Sequence, residues 1–226
     1  MKSAILFSGG KDSSLALYYA LKESKVECLI SLISENKESY MFHTPNIHLV
    51  EKQAEAIGIP LLLSKTKGKK EEELIDLKQA IKQAITKYQI EALYTGALAS
   101  EYQASRINTI CKELNIKCIN PLWHKDEFKL LEELLTLNFE VIIMGVFAEG
   151  MENIIGKKLD KNLINELKIL NKTYKIHPGG EGGEYESFTL NAPYFKHKLT
   201  IKKSHIIDNK DNSKILVLDE LVQDKS

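Results

Sequence analysis

An α/β fold with a doubly wound parallel sheet, followed by a smaller α+β C-terminal domain, is what this sequence predicts. Three observations carry that reading. Apolar runs at residues 3–7, 27–33, 60–63, 91–95 and 140–147 have the length and composition of strands buried on both faces. Helix-periodic stretches near 12–24, 46–57, 70–88, 101–115 and 126–138 fill the intervals between them. After about residue 150 this rhythm breaks into one helical stretch, a glycine-rich loop and further short strands. Alternating strand and helix implies parallel strands joined by right-handed crossovers.

Each element has its own signal. The run "AILF" passes directly into "SGGKDS", and Leu17, Ala20 and Leu21 then share one helix face, with Asp12 as the expected N-cap. Gly58, followed by Ile59 and Pro60, stops the second helix. Beyond residue 150, helical periodicity returns at 160–171, and strands are expected at 186–190, 198–207 and 214–219. Asn120-Pro121 marks the expected boundary, giving domains 1–120 and 121–226.

The 226 residues suffice for a substantial core. With 31 basic and 31 acidic side chains the formal charge is zero, so no global field draws nucleic acid or an acidic membrane, although a local basic patch remains open. The opening apolar run is too short for a signal peptide and no segment has the length and apolarity to span a bilayer, so a cytoplasmic protein is expected. Cys28, Cys111 and Cys118 have no CxxC spacing and read as buried free thiols.

Three stretches carry chemistry. In the first, Gly9 and Gly10 let backbone N–H groups approach an oxyanion, and the helix that follows adds its positive end. Lys11 supplies a point charge, Ser8, Ser13 and Ser14 supply hydroxyls, and Asp12 suits Mg²⁺ on a phosphate chain. The Walker A and GxGxxG patterns both fail. A tight turn that only packs helix on strand is the competing reading, and it leaves Lys-Asp-Ser unexplained.

In the second stretch, "YTGALASEYQASRI", Gly96 closes a strand and Glu101, Tyr102, Gln103 and Arg106 open the next helix. Tyr102 and Arg106 fall on one face. Arg106 is the only arginine in the chain, which suits a bidentate phosphate or carboxylate contact; a structural ion pair is the alternative. In the third, "HPGGEGGEYESF", glycines frame Glu181, and Glu184 and Glu186 follow with Tyr185 and Phe188 interleaved. Clustered carboxylates repel phosphate and suit a cation such as Mg²⁺, ammonium or a quaternary amine. A solvent-exposed hairpin turn with charged edges would look the same.

"SGGKDS" after a strand resembles the pyrophosphate loop (PP-loop) of the N-type ATP pyrophosphatases, a superfamily with a Rossmann-like sheet. The resemblance implies that Ser8, Gly9, Gly10, Lys11, Asp12 and Ser13 grip the β- and γ-phosphates while ATP is split to AMP and pyrophosphate. "SGGKDS", "YMFHTPN", "GALASEYQASR", "PLW" and "GEGGEYESF…NAPYF" follow one another in the order found in the diphthine–ammonia ligase family. The similarity runs from residue 3 to about residue 201, with Ala104 and Ser187 as departures from the usual basic residue and threonine.

That resemblance implies ATP and Mg²⁺ as cofactors and ammonium as nitrogen source. It also implies elongation factor 2 carrying diphthine as partner, and an acyl-adenylate on the way to diphthamide. No nucleic acid or membrane partner is expected, and a homo-oligomer stays open. Ser34, His43 and Gly96, with Ile33 and Asn46, become candidates around the nucleotide. Glu101, Tyr102, Gln103 and Arg106 become candidates for substrate, together with Glu181, Gly182, Gly183, Glu184 and Tyr185. Lys11, Asp12, Arg106, Glu184 and Glu186 are the expected catalytic residues, with Asp12 as the metal ligand. The glutamates would contact the trimethylammonio group of diphthine, bind ammonium, or take its proton. Two rival readings share the loop: a tRNA-modifying pyrophosphatase, disfavoured by neutral charge and scattered cysteines, and a non-catalytic ATP-binding regulatory module.

Overall fold

The computed structural model describes residues 1–34, 49–66, 72–209, 211 and 213–224. By its internal packing the chain divides into two units, Met1–Ser8 with Asp12–Trp123, and Gly9–Lys11 with His124–Ser226.

The first unit is a five-stranded, wholly parallel sheet. Its strands are β1 (Lys2–Leu6), β2 (Lys25–Ser34), β3 (Leu61–Thr66), β4 (Ala92–Tyr94) and β5 (Lys117–Ile119), in the order β3-β2-β1-β4-β5. The helices between them are α1 (Lys11–Glu23), α2 (Val50–Ile57), α3 (Glu72–Tyr88) and α4 (Glu101–Glu113). The chain first moves outward from β1 and then returns past it to β4. With right-handed crossovers that reversal puts helices on both faces. It also makes the carboxyl ends of β1 and β4 the switch point, where ligands of such sheets bind.

The apolar periods explain the packing. Leu77, Ala80, Ile81 and Ala84 recur at helical spacing along α3 and bury against Ala4, Cys28, Ile30, Leu32 and Leu93 of the strands, joined by Ile107, Ile110 and Cys111 of α4. Every second strand residue thus meets α3 and α4. Gly58 ends α2 as expected, in a left-handed conformation with its N–H on Ala54 O.

Two expectations need correction. The fifth parallel strand is β5, and the run at 140–147 belongs to the other sheet. Three residues at a sheet edge, one exposed and two half-buried, give β5 no two-faced apolar run to read. Asp12 lies inside the first turn of α1 rather than at its cap, because the helix already begins at Lys11.

The second unit is α+β. Strands β6 (Glu140–Val146), β7 (Tyr185–Asn191), β8 (Leu199–Asp208) and β9 (Lys214–Gln223) form an antiparallel sheet in the order β7-β6-β9-β8. Helices α5 (Glu127–Thr136) and α6 (Lys161–Tyr174) are capped by Asp126 and Asp160, which accept from Lys129 N at 2.9 Å and Leu163 N at 2.7 Å. Between β6 and β7 the register shifts twice, between Glu140 and Val141 and between Ile143 and Gly145, so Ser187 faces Ile143 and Glu186 faces Gly145. Among the described residues no helix is long and apolar enough to cross a membrane.

Candidate active site

In the first unit, β1 leads into Ser8 and β4 leads, through Thr95, into Gly96. Buried Ser13 accepts from Ser8 N at 3.3 Å, and the two hydroxyls lie 3.2 Å apart, closing the turn that launches α1. A Cβ at Gly96 would stand 2.8 Å from both Asp12 C and Ser13 N. The turn after β4 therefore packs on the first turn of α1 with no room for a methyl group. The first-turn amides of a helix lack intrahelical acceptors, and with the helix dipole they favour an anion.

Ser34 ends β2 opposite Thr66. Ser100 caps α4 by accepting from Gln103 N at 3.4 Å, and Glu101 lies exposed in its first turn. The Tyr102–Arg106 pair does meet: the guanidinium carbon is 4.8 Å from the ring centroid. His43 and Asn46 fall outside the described residues.

In the second unit the glycine-rich stretch is two successive turns. Gly180 N donates to His177 O at 2.9 Å, and Gly183 N donates to Gly180 O at 3.1 Å. Gly180 and Gly183, which close these turns, have φ of 75° and 81°, where an L side chain is strained. A Cβ on Gly182 would come 2.7 Å from Glu184 Oε1, so the Glu184 carboxylate lies over the loop.

Glu127, from the first turn of α5, clamps these turns. Its Oε1 is 2.7 Å from His177 Nε2, and its Oε2 accepts from Gly179 N at 3.0 Å. Glu181 N donates to His177 Nδ1 at 3.4 Å, which assigns the ring proton to Nε2. Tyr185 OH donates to Pro178 O at 2.7 Å, and His177 N donates to Glu184 Oε1 at 2.8 Å. The 178–179 peptide is thus held from both sides.

Lys11 belongs to this network. Only 4% exposed, it donates through Nζ to Gly179 O at 2.5 Å and stands 5.2 Å from the Tyr185 ring centroid. Its backbone N–H donates to Ser187 Oγ at 3.1 Å, and Thr189 N donates to Gly9 O at 2.9 Å. The hydroxyl of Ser187 is therefore in use. On the other face of β7, burial pushes the Glu186 carboxyl up to about 8, with Lys11 pulling in the opposite direction. Glu186 Oε2 is buried with no hydrogen-bond partner among the described residues.

Glu127 and His177 were not among the residues expected from sequence. A glutamate in a first helical turn looks like ordinary dipole compensation, and a histidine without metal-ligand spacing attracts no attention. Among the described residues no group of three or more His, Cys, Asp or Glu stands together as a metal site. Mg²⁺ does not require one, since it keeps several waters and binds through one or two carboxylates plus phosphate oxygens. Asp12, at the start of α1, fits that mode. The three cysteines are free, and burial pushes the Cys28 thiol up to about 12, which disqualifies it as a nucleophile at neutral pH.

A parallel sheet with a glycine–lysine turn at its switch point, together with an antiparallel unit bearing buried carboxylates, defines a nucleotide-dependent enzyme of the α/β class. Family comparison is more specific. Residues 1–118 match the diphthamide synthase N-terminal domain and residues 126–219 match the diphthamide synthase C-terminal domain. The chain is 33% identical to the diphthine–ammonia ligase of Bos taurus and 32% identical to that of Homo sapiens, in each case over 92% of this chain and 85% of the relative. It belongs to the diphthine–ammonia ligase family. Among solved structures, one described as a predicted subunit of a tRNA methyltransferase from Methanocaldococcus jannaschii aligns with 85% of this chain and 98% of its own, at 20% identity and a TM-score of 0.45.

Proposed function

We propose that this chain amidates the carboxylate of diphthine on elongation factor 2 with ammonium, splitting ATP to AMP and pyrophosphate through an acyl-adenylate. The observation that carries this reading is the match of both units to the two domains of a single family. Residues 1–120 would bind ATP and residues 121–226 would recognise the substrate. The work would take place in the cytoplasm, where the elongation factor acts.

Carboxylate and ammonium do not condense at neutral pH, so the carboxyl carbon needs a leaving group. A carboxylate oxygen attacks the α-phosphorus, and the bond to the bridging oxygen breaks toward pyrophosphate. The amides of the first turn of α1 and the Lys11 ammonium stabilise the charge that develops on the departing phosphates. Mg²⁺, held by Asp12 and phosphate oxygens, would neutralise part of that charge. Ser8, Gly9, Gly10 and Ser13 hold the pyrophosphate, backbone groups at Ser34 and Gly96 border the nucleotide, and Arg106 positions the α-phosphate or the substrate carboxylate.

In the second step nitrogen attacks the acyl carbon and AMP leaves with the electrons of the C–O bond. Ammonium must first lose a proton, and Glu186 accepts it, because a carboxylate raised by burial is a stronger base than an ordinary one. Glu184 and the loop Glu181–Tyr185 hold the substrate's cationic end.

The test is incubation with ATP, Mg²⁺, ammonium and elongation factor 2 carrying diphthine. AMP, pyrophosphate and a peptide mass change from carboxylate to amide are expected. AMP without amidation would discard the substrate, and bound but uncleaved ATP would discard the enzyme.

A further inference from the structure

Phe147 is the first residue beyond β6, a strand whose last six residues are buried, yet it is itself 38% exposed. It continues the pairing with β7: Val146 faces Tyr185, and Phe147 N donates to Glu184 O at 2.8 Å. Residues directly opposite in an antiparallel pair place their side chains on the same face, with Cβ atoms about 5 Å apart. Phe147 therefore shares a face with Glu184 and, by the two-residue period of the strand, with Glu186. Gly145, opposite Glu186, adds no side chain to that face. Tyr185 and Ser187 lie on the other face, which meets Lys11.

Glu184 Oε2 and Glu186 Oε2 are both buried without partners among the described residues. These two oxygens are out of reach of a ligand's hydrogen bonds, and Glu184 Oε1 is already taken by His177 N. A quaternary ammonium has no N–H to donate. It needs an apolar, electron-rich ring face and negative charge close by, and an accessible phenyl ring beside the Glu184 carboxylate supplies both.

We propose that Phe147 is a specificity-determining residue whose ring receives the quaternary ammonium group of the substrate, an inference that rests on the function proposed above. The carboxylate of Glu184 acts on the cation through its field, while Phe147 provides the contact. The ring contacts a substrate group whose own bonds do not change in the reaction, so its effect falls on substrate affinity rather than on ATP.

Phe147→Leu keeps apolar bulk and removes the ring, and Phe147→Trp restores an aromatic face. With elongation factor 2 carrying diphthine, Phe147→Leu is expected to raise KM for the factor about tenfold, and Phe147→Trp to bring it back to near the wild-type value. KM for ATP should stay within about twofold of wild type in both variants, since nothing in the contact involves the nucleotide. Tetramethylammonium chloride should inhibit the wild-type enzyme competitively against the factor, and Phe147→Leu about tenfold more weakly. An unchanged KM for the factor in Phe147→Leu, or equal inhibition of both proteins, overturns the assignment of Phe147 while wild-type amidation stands. A wild-type enzyme that never amidates the factor overturns the function itself, and the role of Phe147 with it.

Discussion

Ser8–Ser13 and His177–Glu184 are both short, glycine-bearing turns, and the proposed function gives them opposite charges to hold. The first opens a helix, so its glycines bring amides to the positive end of a dipole with two linked hydroxyls beside them, while the Lys11 ammonium turns to Gly179 O. The second opens a strand. Its glycines close two successive turns, and carboxylates occupy the gaps between them. Glycine content alone therefore says that backbone is accessible, and the element that follows decides which ion benefits. The two turns also differ in support. The first is fixed by packing against Gly96, the second by the Glu127 carboxylate, which binds His177 and Gly179 together.

The largest effect should come from removing the support of the first turn. Gly96→Val drives a side chain into the backbone of Asp12 and Ser13, where neither partner can move without displacing the start of α1. Since misplacement by 1 Å can cost a hundredfold, pyrophosphate release should fall by about that factor or more, measured with saturating ATP. A variant with near-normal release would mean that the first turn of α1 is not where phosphate is held.

A smaller effect should come from the second turn, and it should appear in stability. Burial raises the Glu186 carboxyl from the ordinary 4.5 to about 8, so the folded protein holds a proton there that the unfolded chain gives up. The wild type should lose that stabilisation as pH rises from 4.5 to 8. Glu186→Gln, which never ionises, should have a similar Tm near pH 4.5 and pull ahead of wild type toward pH 8 and above. A gap in Tm that narrows with rising pH would place Glu186 in a polar, solvated setting instead.

Most of this was legible where one physical signal had one meaning. The run of β1 into "SGGKDS" fixed both a strand and the helix start after it, and Gly58 stopped α2 as a left-handed cap should. The pairing of Tyr102 with Arg106 followed from helical spacing. Legibility failed where two structures share a pattern. β6 is buried along six residues because it is central in an antiparallel sheet, and a central parallel strand reads the same way. β5 is short and at an edge, so it carries too little apolar sequence to notice. Glu127 is separated from the loop it clamps by 50 residues, and the contact exists only after folding. The raised carboxyl of Glu186 could not be read either, because burial of one face of β7 depends on the whole second unit.

The central claim is a division of labour, with Lys11 and the phosphate turn serving adenylation and Glu186 serving the attack of nitrogen. Isotope exchange between pyrophosphate and ATP, run with elongation factor 2 carrying diphthine and without ammonium, isolates the first step. Glu186→Gln should retain exchange within about threefold of wild type while amidation with ammonium falls at least about a hundredfold, the scale of a lost general base. Lys11→Met should lose both. If Glu186→Gln loses exchange as completely as Lys11→Met, the two turns do not divide the reaction and the assignment of the proton acceptor is wrong.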